Sequence, residues 1–193
     1  MEQKEQNFYR QMALVNNMRL VWQQHVYWTR LLLISIAERL KDQPETTDRL
    51  LQNPYDIARI FAPYYGNEAA KQIAALLTEH LQIGAELITA LRDKNPEADN
   101  LNKEWYINAD KMAEAFSSLN PHFNREKLRA MLRRHLELTM QEVAARLAGN
   151  YRADIDAFNK VEREALMTAD YFSSGIIKQF PHKFGIPYEM PRR

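Results

Sequence analysis

A chain of 193 residues without cysteine is long enough to bury a core without covalent staples. It cannot form disulfides, zinc–thiolate centres, iron–sulfur clusters or thiol nucleophiles. The 26 Lys and Arg against 25 Asp and Glu leave a net charge of +1, far from the basic excess of a dedicated nucleic-acid binder. Met1 to Arg10 carries charges and amides where a signal peptide needs apolar residues, and the longest aliphatic run, Leu31 to Ala37, is too short to span a membrane. Composition therefore predicts a soluble, cytoplasmic protein that binds neither nucleic acid nor membrane.

Five glycines in a chain rich in Ala, Leu, Glu, Arg and Gln favour helix. In chain order, Val21, His25, Trp28, Leu32 and Ile36 recur at helical steps and predict a first helix over 6–41. A second, short or interrupted, is predicted over 47–62, where Asn53 precedes Pro54 as a capping side chain. After a break at Gly66-Asn67, the stripe Ile73, Leu76, His80, Ile83, Leu87 and Leu91 predicts a third over 67–93. Asn95-Pro96 opens a fourth over 96–118. Pro121 to Asn124 precede a fifth over 124–148, with Leu128, Leu132, His135, Thr139 and Val143 on one face. Gly149 separates it from a sixth over 150–175.

Prolines at 181, 187 and 191 and Gly185 forbid a long helix beyond Gly175. The expected organisation is one all-α domain over 1–175, a bundle of about six helices, with an aromatic, proline-rich tail over 176–193 (Phe180, Phe184, Tyr188) packed against it.

Shifting the sequence by 55 residues aligns His25, His80 and His135, together with Asn53 and Asn108, Ala58 and Ala113, and Phe61 and Phe116. A slip of one or two residues adds Phe172, and Ala115-Phe-Ser-Ser parallels Tyr171-Phe-Ser-Ser. A fixed period of this length indicates three stacked helical hairpins. Their histidine-bearing helices, first, third and fifth, run parallel, so the histidines share one level. A closed bundle brings the imidazoles together, whereas an open solenoid leaves them in a row.

The stretches His25-Val-Tyr-Trp-Thr-Arg, Glu79-His-Leu-Gln-Ile-Gly, Trp105-Tyr-Ile-Asn-Ala-Asp, His135-Leu-Glu-Leu-Thr and Gly175-Ile-Ile-Lys-Gln-Phe-Pro resemble a family of short all-helical bacterial proteins of unknown function. The similarity runs from about residue 18 to 184. It implies a helical fold and no transferable site residues. Some members of that family carry the label acetylglutamate kinase. That enzyme is an α/β sandwich with glycine-rich phosphate loops, and this sequence supplies neither the strands nor the glycines.

Two readings of function follow. In the first, the chain is a protein-interaction or self-associating module whose core histidines are structural. In the alternative, His25, His80, His135 and Glu162 hold a transition-metal ion (Fe, Mn, Zn or Ni). Glu162 enters because it follows Phe158 on the sixth helix's apolar stripe, and a carboxylate there needs a partner. Asp110, Asp154 and Asp156 are candidate supporting groups. The run Arg125, Lys127, Arg129, Arg133 and Arg134 is read as a solvated face, and Trp22, Tyr27 and Trp28 as core. Ser35, Ser117, Ser118, Ser173 and Ser174 are read as capping or surface residues. No nucleophile elbow or phosphate loop is present, so no catalytic residue is assigned.

Overall fold

The computed structural model describes residues 2–185, with side chains described from residue 5. The chain forms α1 (Glu2–Glu38), α2 (Gln43–Leu50), α3 (Asn53–Arg92), α4 (Ala98–Leu119), α5 (Arg125–Leu147), α6 (Tyr151–Gln179) and a 3₁₀ turn, η1 (Pro181–Phe184). Among the described residues there is no strand, and no helix is long and apolar enough to cross a membrane. Two helix starts are capped by side chains: Asn124 accepts from the Lys127 amide at 2.8 Å and Asn150 from the Ala153 amide at 3.2 Å, each holding one of the amides a helix start leaves unpaired.

The segment expected to be short or interrupted over 47–62 divides into α2 and the first arm of α3, and Gly66 separates two helical arms of α3 at the break the sequence predicts. Gly66 has φ 83° and ψ 170°, a conformation side chains disfavour, and Pro63 lies three residues earlier in the same helix. Asn53 does not cap α3: Gln52 holds the cap position, and Asn53 is fully buried. Gly175 does not end α6. A Cβ there would lie 2.1 Å from the Phe123 ring, so this glycine admits a close aromatic contact while the helix runs on to Gln179.

The helices close into a ring. α1 packs between α3 and α6, α3 against α4, α4 against α5, and α5 against α6. At the centre, Phe61 from α3, Phe116 from α4 and Phe172 from α6 are buried and meet pairwise, with centroid separations of 5.4, 5.4 and 4.5 Å. Met18, Ile73 and Leu128, seven residues before His25, His80 and His135 respectively, are buried as well. Such an interior layer stabilises chiefly by removing apolar area from water.

After α6, Phe180 packs on Tyr64 and Tyr65 at 5.6 and 5.5 Å, and Phe184 stacks on Tyr64 at 6.0 Å. Tyr188 lies outside the described residues. Because Phe172 touches both other central rings, Phe172→Ala should cost about 3–5 kcal/mol of stability. Urea unfolding measures this, and an unchanged midpoint would contradict the packing described.

Candidate metal centre

His25, His80 and His135 stand on α1, α3 and α5 and are buried, 2%, 4% and 8% exposed. Ring closure brings the imidazoles into mutual contact, with centroids 5.8 to 6.4 Å apart, and one ring nitrogen of each lies within 4.8 Å of the other two. Three nitrogens sharing one zinc-sized ion, with bonds of about 2.1 Å, can be at most about 3.6 Å from one another, and about 3.4 Å in a tetrahedral site. From separations of up to 4.8 Å the rings have to draw together by about 1.2 Å to share an ion.

Two of the histidines have their tautomer fixed from behind. The Asn53 amide donates to the Val21 carbonyl at 2.8 Å, and a backbone carbonyl can only accept. Asn53 Oδ1 is therefore turned toward His25 Nδ1, 3.1 Å away, which must carry the proton. On α3 and α4 the arrangement recurs: Asn108 donates to the Leu76 carbonyl at 3.2 Å and to Glu79 at 3.0 Å, and its Oδ1 lies 3.1 Å from His80 Nδ1. Each Nε2 is left with a free lone pair, the form in which imidazole binds a metal, and the carbonyl-oxygen partner behind it is the usual outer support of such a ligand. His135 lacks a corresponding asparagine.

One helical turn beyond the histidines the three chains of contact differ in residue but serve the same backbone group. Thr29 donates to the His25 carbonyl at 2.7 Å and Thr139 to the His135 carbonyl at 2.9 Å. Between them the same place on α3 is Gly84, and the Trp105 indole N–H takes the His80 carbonyl at 3.0 Å. A Cβ at Gly84 would be in ordinary contact with the indole at 3.4 Å, so the helix backbone lies close to the tryptophan, which stacks on His80 at 5.2 Å. These groups and Leu50 border a small cavity of about 20 Å³ beside the imidazoles, room for a single water or ion.

Burial pushes His25 down to about 4 and His80 down to about 3, the latter helped by its proximity to His25, and carries His135 well below its ordinary value. All three are neutral at pH 7, as metal ligands must be.

The carboxylates of the sequence reading lie elsewhere. Glu162 accepts from the Tyr27 hydroxyl at 2.6 Å and from Gln23 at 3.3 Å, at the edge of the α1–α6 contact, and is not among the groups clustered at the histidines. It needs no buried partner because it is only half-buried. Asp154 is buried in a second network, where Arg30 bridges it (2.6 Å) and Glu142 (2.5 Å) and Arg146 adds a contact at 3.3 Å. Burial pushes Glu142 up to about 7 against the pull of Arg30. Asp110 pairs with Arg129 and Arg133, and Asp156 is exposed.

In the basic run, Arg125 pairs with Glu114 and Arg134 with Glu137, leaving little unopposed charge for a phosphate. Trp22 is buried, stacked on Phe172, whereas Tyr27 is exposed. Ser35 and Ser173 are not surface residues: both are buried, donating to Asp42 at 2.7 Å and to the Ala169 carbonyl at 2.9 Å. The supporting groups missed as such were Asn53, Asn108, Thr29, Thr139 and Trp105. Asn53 and Asn108 carried a signal, their 55-residue spacing, which matches that of the histidines they hold.

No family model matches this chain, and no curated protein or solved structure matches it.

The histidine pKa values set the pH dependence of folding. Below about 6.5 the unfolded chain protonates these imidazoles while the folded chain does not, so stability is full above that pH and falls as pH drops toward 4. Each contributes a slope on the order of 1 kcal/mol per pH unit in that window. Urea unfolding at pH 6.5, 5.5 and 4.5 should show a steep acid loss, made shallower by about one proton in His25→Gln. An unaltered slope would mean that His25 is charged in the fold.

Proposed function

We propose that this protein binds one transition-metal ion through His25, His80 and His135, and that it is built from three copies of a helical hairpin of about 55 residues, each contributing one ligand. The observation that carries the reading is the convergence of three neutral imidazoles, nitrogens within 4.8 Å, two of them with Nδ1–H engaged by an asparagine and Nε2 free. The repeat draws support from the matched bonding: each asparagine follows its histidine by 28 residues and donates to the carbonyl four residues before it. The contact among Phe61, Phe116 and Phe172 is the corresponding meeting point of the second helices.

The donor set narrows the ion. With Glu162 away from the cluster the ligands are nitrogens alone, which suits zinc, iron, nickel or copper. Manganese prefers oxygen donors and loses its place. The cavity has space for one small additional ligand, which favours holding an ion over turning over a bulky substrate. Acetylglutamate kinase activity is no part of this reading, since the described residues contain no strand on which its fold could be built.

Protein loaded separately with zinc, iron, nickel and copper should retain one equivalent of at least one of them after gel filtration, with a raised Tm, and His80→Ala should retain none. Metal-free wild type under every loading would overturn the proposal.

A second reading, self-association, is favoured by the apolar side chains that α1 leaves exposed near its start: Phe8 at 59%, Tyr9 at 61% and Met12 at 39%. On this reading a second copy of the chain covers them and the protein sediments as a dimer that Tyr9→Glu dissociates. A monomer at all concentrations would rule it out.

A further inference from the structure

We propose that Glu164 is the outer partner of His135, the third-hairpin counterpart of Asn53 and Asn108. The inference rests on the metal-binding reading and names the group that completes its support.

Register assigns the residue. Asn53 and Asn108 stand eight residues before Phe61 and Phe116, and the contact of those rings with Phe172 fixes the equivalent level on α6. Eight residues before Phe172 is Glu164. The third hairpin is one residue longer between its histidine and its phenylalanine than the other two, so a strict period of 55 points to Arg163, which is exposed.

The surroundings correspond as well. Asn108 lies against Glu79, the residue before His80; Glu164 lines a groove between α5 and α6 together with Arg134, the residue before His135. The Glu164 carboxylate is partly buried, yet its hydrogen bond is a long one, from Thr168 at 3.5 Å to either oxygen. Its accepting capacity is largely unspent, and His135 is the histidine without an amide behind it. Glutamate is one methylene longer than asparagine, which gives its carboxylate the longer reach from the equivalent place in the register.

The chemistry gives the substitution a purpose. A divalent ion held by three neutral imidazoles keeps its full charge in an apolar core, which is costly. A carboxylate accepting from His135 Nδ1–H offsets part of that charge and makes the imidazole a stronger donor, while two amides hold the other rings without adding charge.

Glu164→Leu and Glu164→Gln test this by two readouts: imidazole ¹⁵N shifts of the metal-free protein and zinc affinity by chelator competition. In wild type and Glu164→Gln, His135 should be the Nδ1–H tautomer. Glu164→Leu should lose that single tautomer and bind zinc about 10- to 100-fold more weakly. Wild-type affinity and an unchanged His135 spectrum in Glu164→Leu would overturn the inference while leaving zinc binding intact. In wild type that binds no zinc, the ¹⁵N shifts of the metal-free protein decide the role of Glu164: a His135 spectrum that Glu164→Leu leaves unchanged overturns the inference. Should Glu164→Leu fail to fold, Glu164→Gln decides: loss of the carboxylate charge should move the His135 Nδ1 resonance, and an unmoved resonance would overturn the assignment.

Discussion

Three imidazoles packed against one another in an apolar interior form the constraint on which the rest of this structure turns. Buried side by side, they cannot carry positive charge, so they must be neutral, and a neutral imidazole in such a place has one nitrogen that donates and one that accepts. Asn53 and Asn108 take the donating side of two rings, and in doing so each ties the helix that carries it to the preceding histidine helix. One nitrogen of each ring lies within 4.8 Å of the other two. The tight contact of the helices and the chemistry of this cluster thus have one origin, the need to satisfy polar groups where water does not reach.

The charged core network has a different character. Arg30, Arg146, Glu142 and Asp154 balance in sign and join α1, α5 and α6. Glu142 lies seven residues after His135, where the other two histidine helices carry Leu32 and Leu87. One helix face is therefore polar at a level where its counterparts are oily, and the arginine that compensates comes from α1, also stacked on Phe158 at 4.7 Å. Removing one partner of such a network leaves the other's charge buried and unpaired, which is why it acts as a clasp between the chain's beginning and its end.

Much of the helical architecture could be read from spacing, because a 3.6-residue stripe with few glycines has little choice of structure. The histidines' shared level was also legible, though not whether they meet: that depends on ring closure between α1 and α6, a contact between distant parts of the chain that no local pattern encodes. Glu162 shows the complementary failure. It sits on an apolar stripe in sequence, but the stripe's edge is open enough for Tyr27 and Gln23 to reach it. Asn53 looked like a cap because it precedes a proline, and the local rule lost to a buried imidazole that needed its carbonyl oxygen. The break at Gly66-Asn67 was legible, since a glycine there adopts a φ and ψ that leave the helical range and separate the two arms of α3.

The closeness of Trp105 to Gly84 bears on how such a chain avoids assembling wrongly. Hairpins of similar sequence invite exchange, since a copy from a neighbouring molecule can occupy a place meant for the chain's own, and domain swapping is a characteristic failure of repetitive proteins. The indole lies so close to Gly84 that a Cβ there would already be in contact at 3.4 Å, whereas α1 and α5 carry the branched Thr29 and Thr139 at that level, whose further atoms extend beyond a Cβ. The mismatch gives α3 an address within the ring.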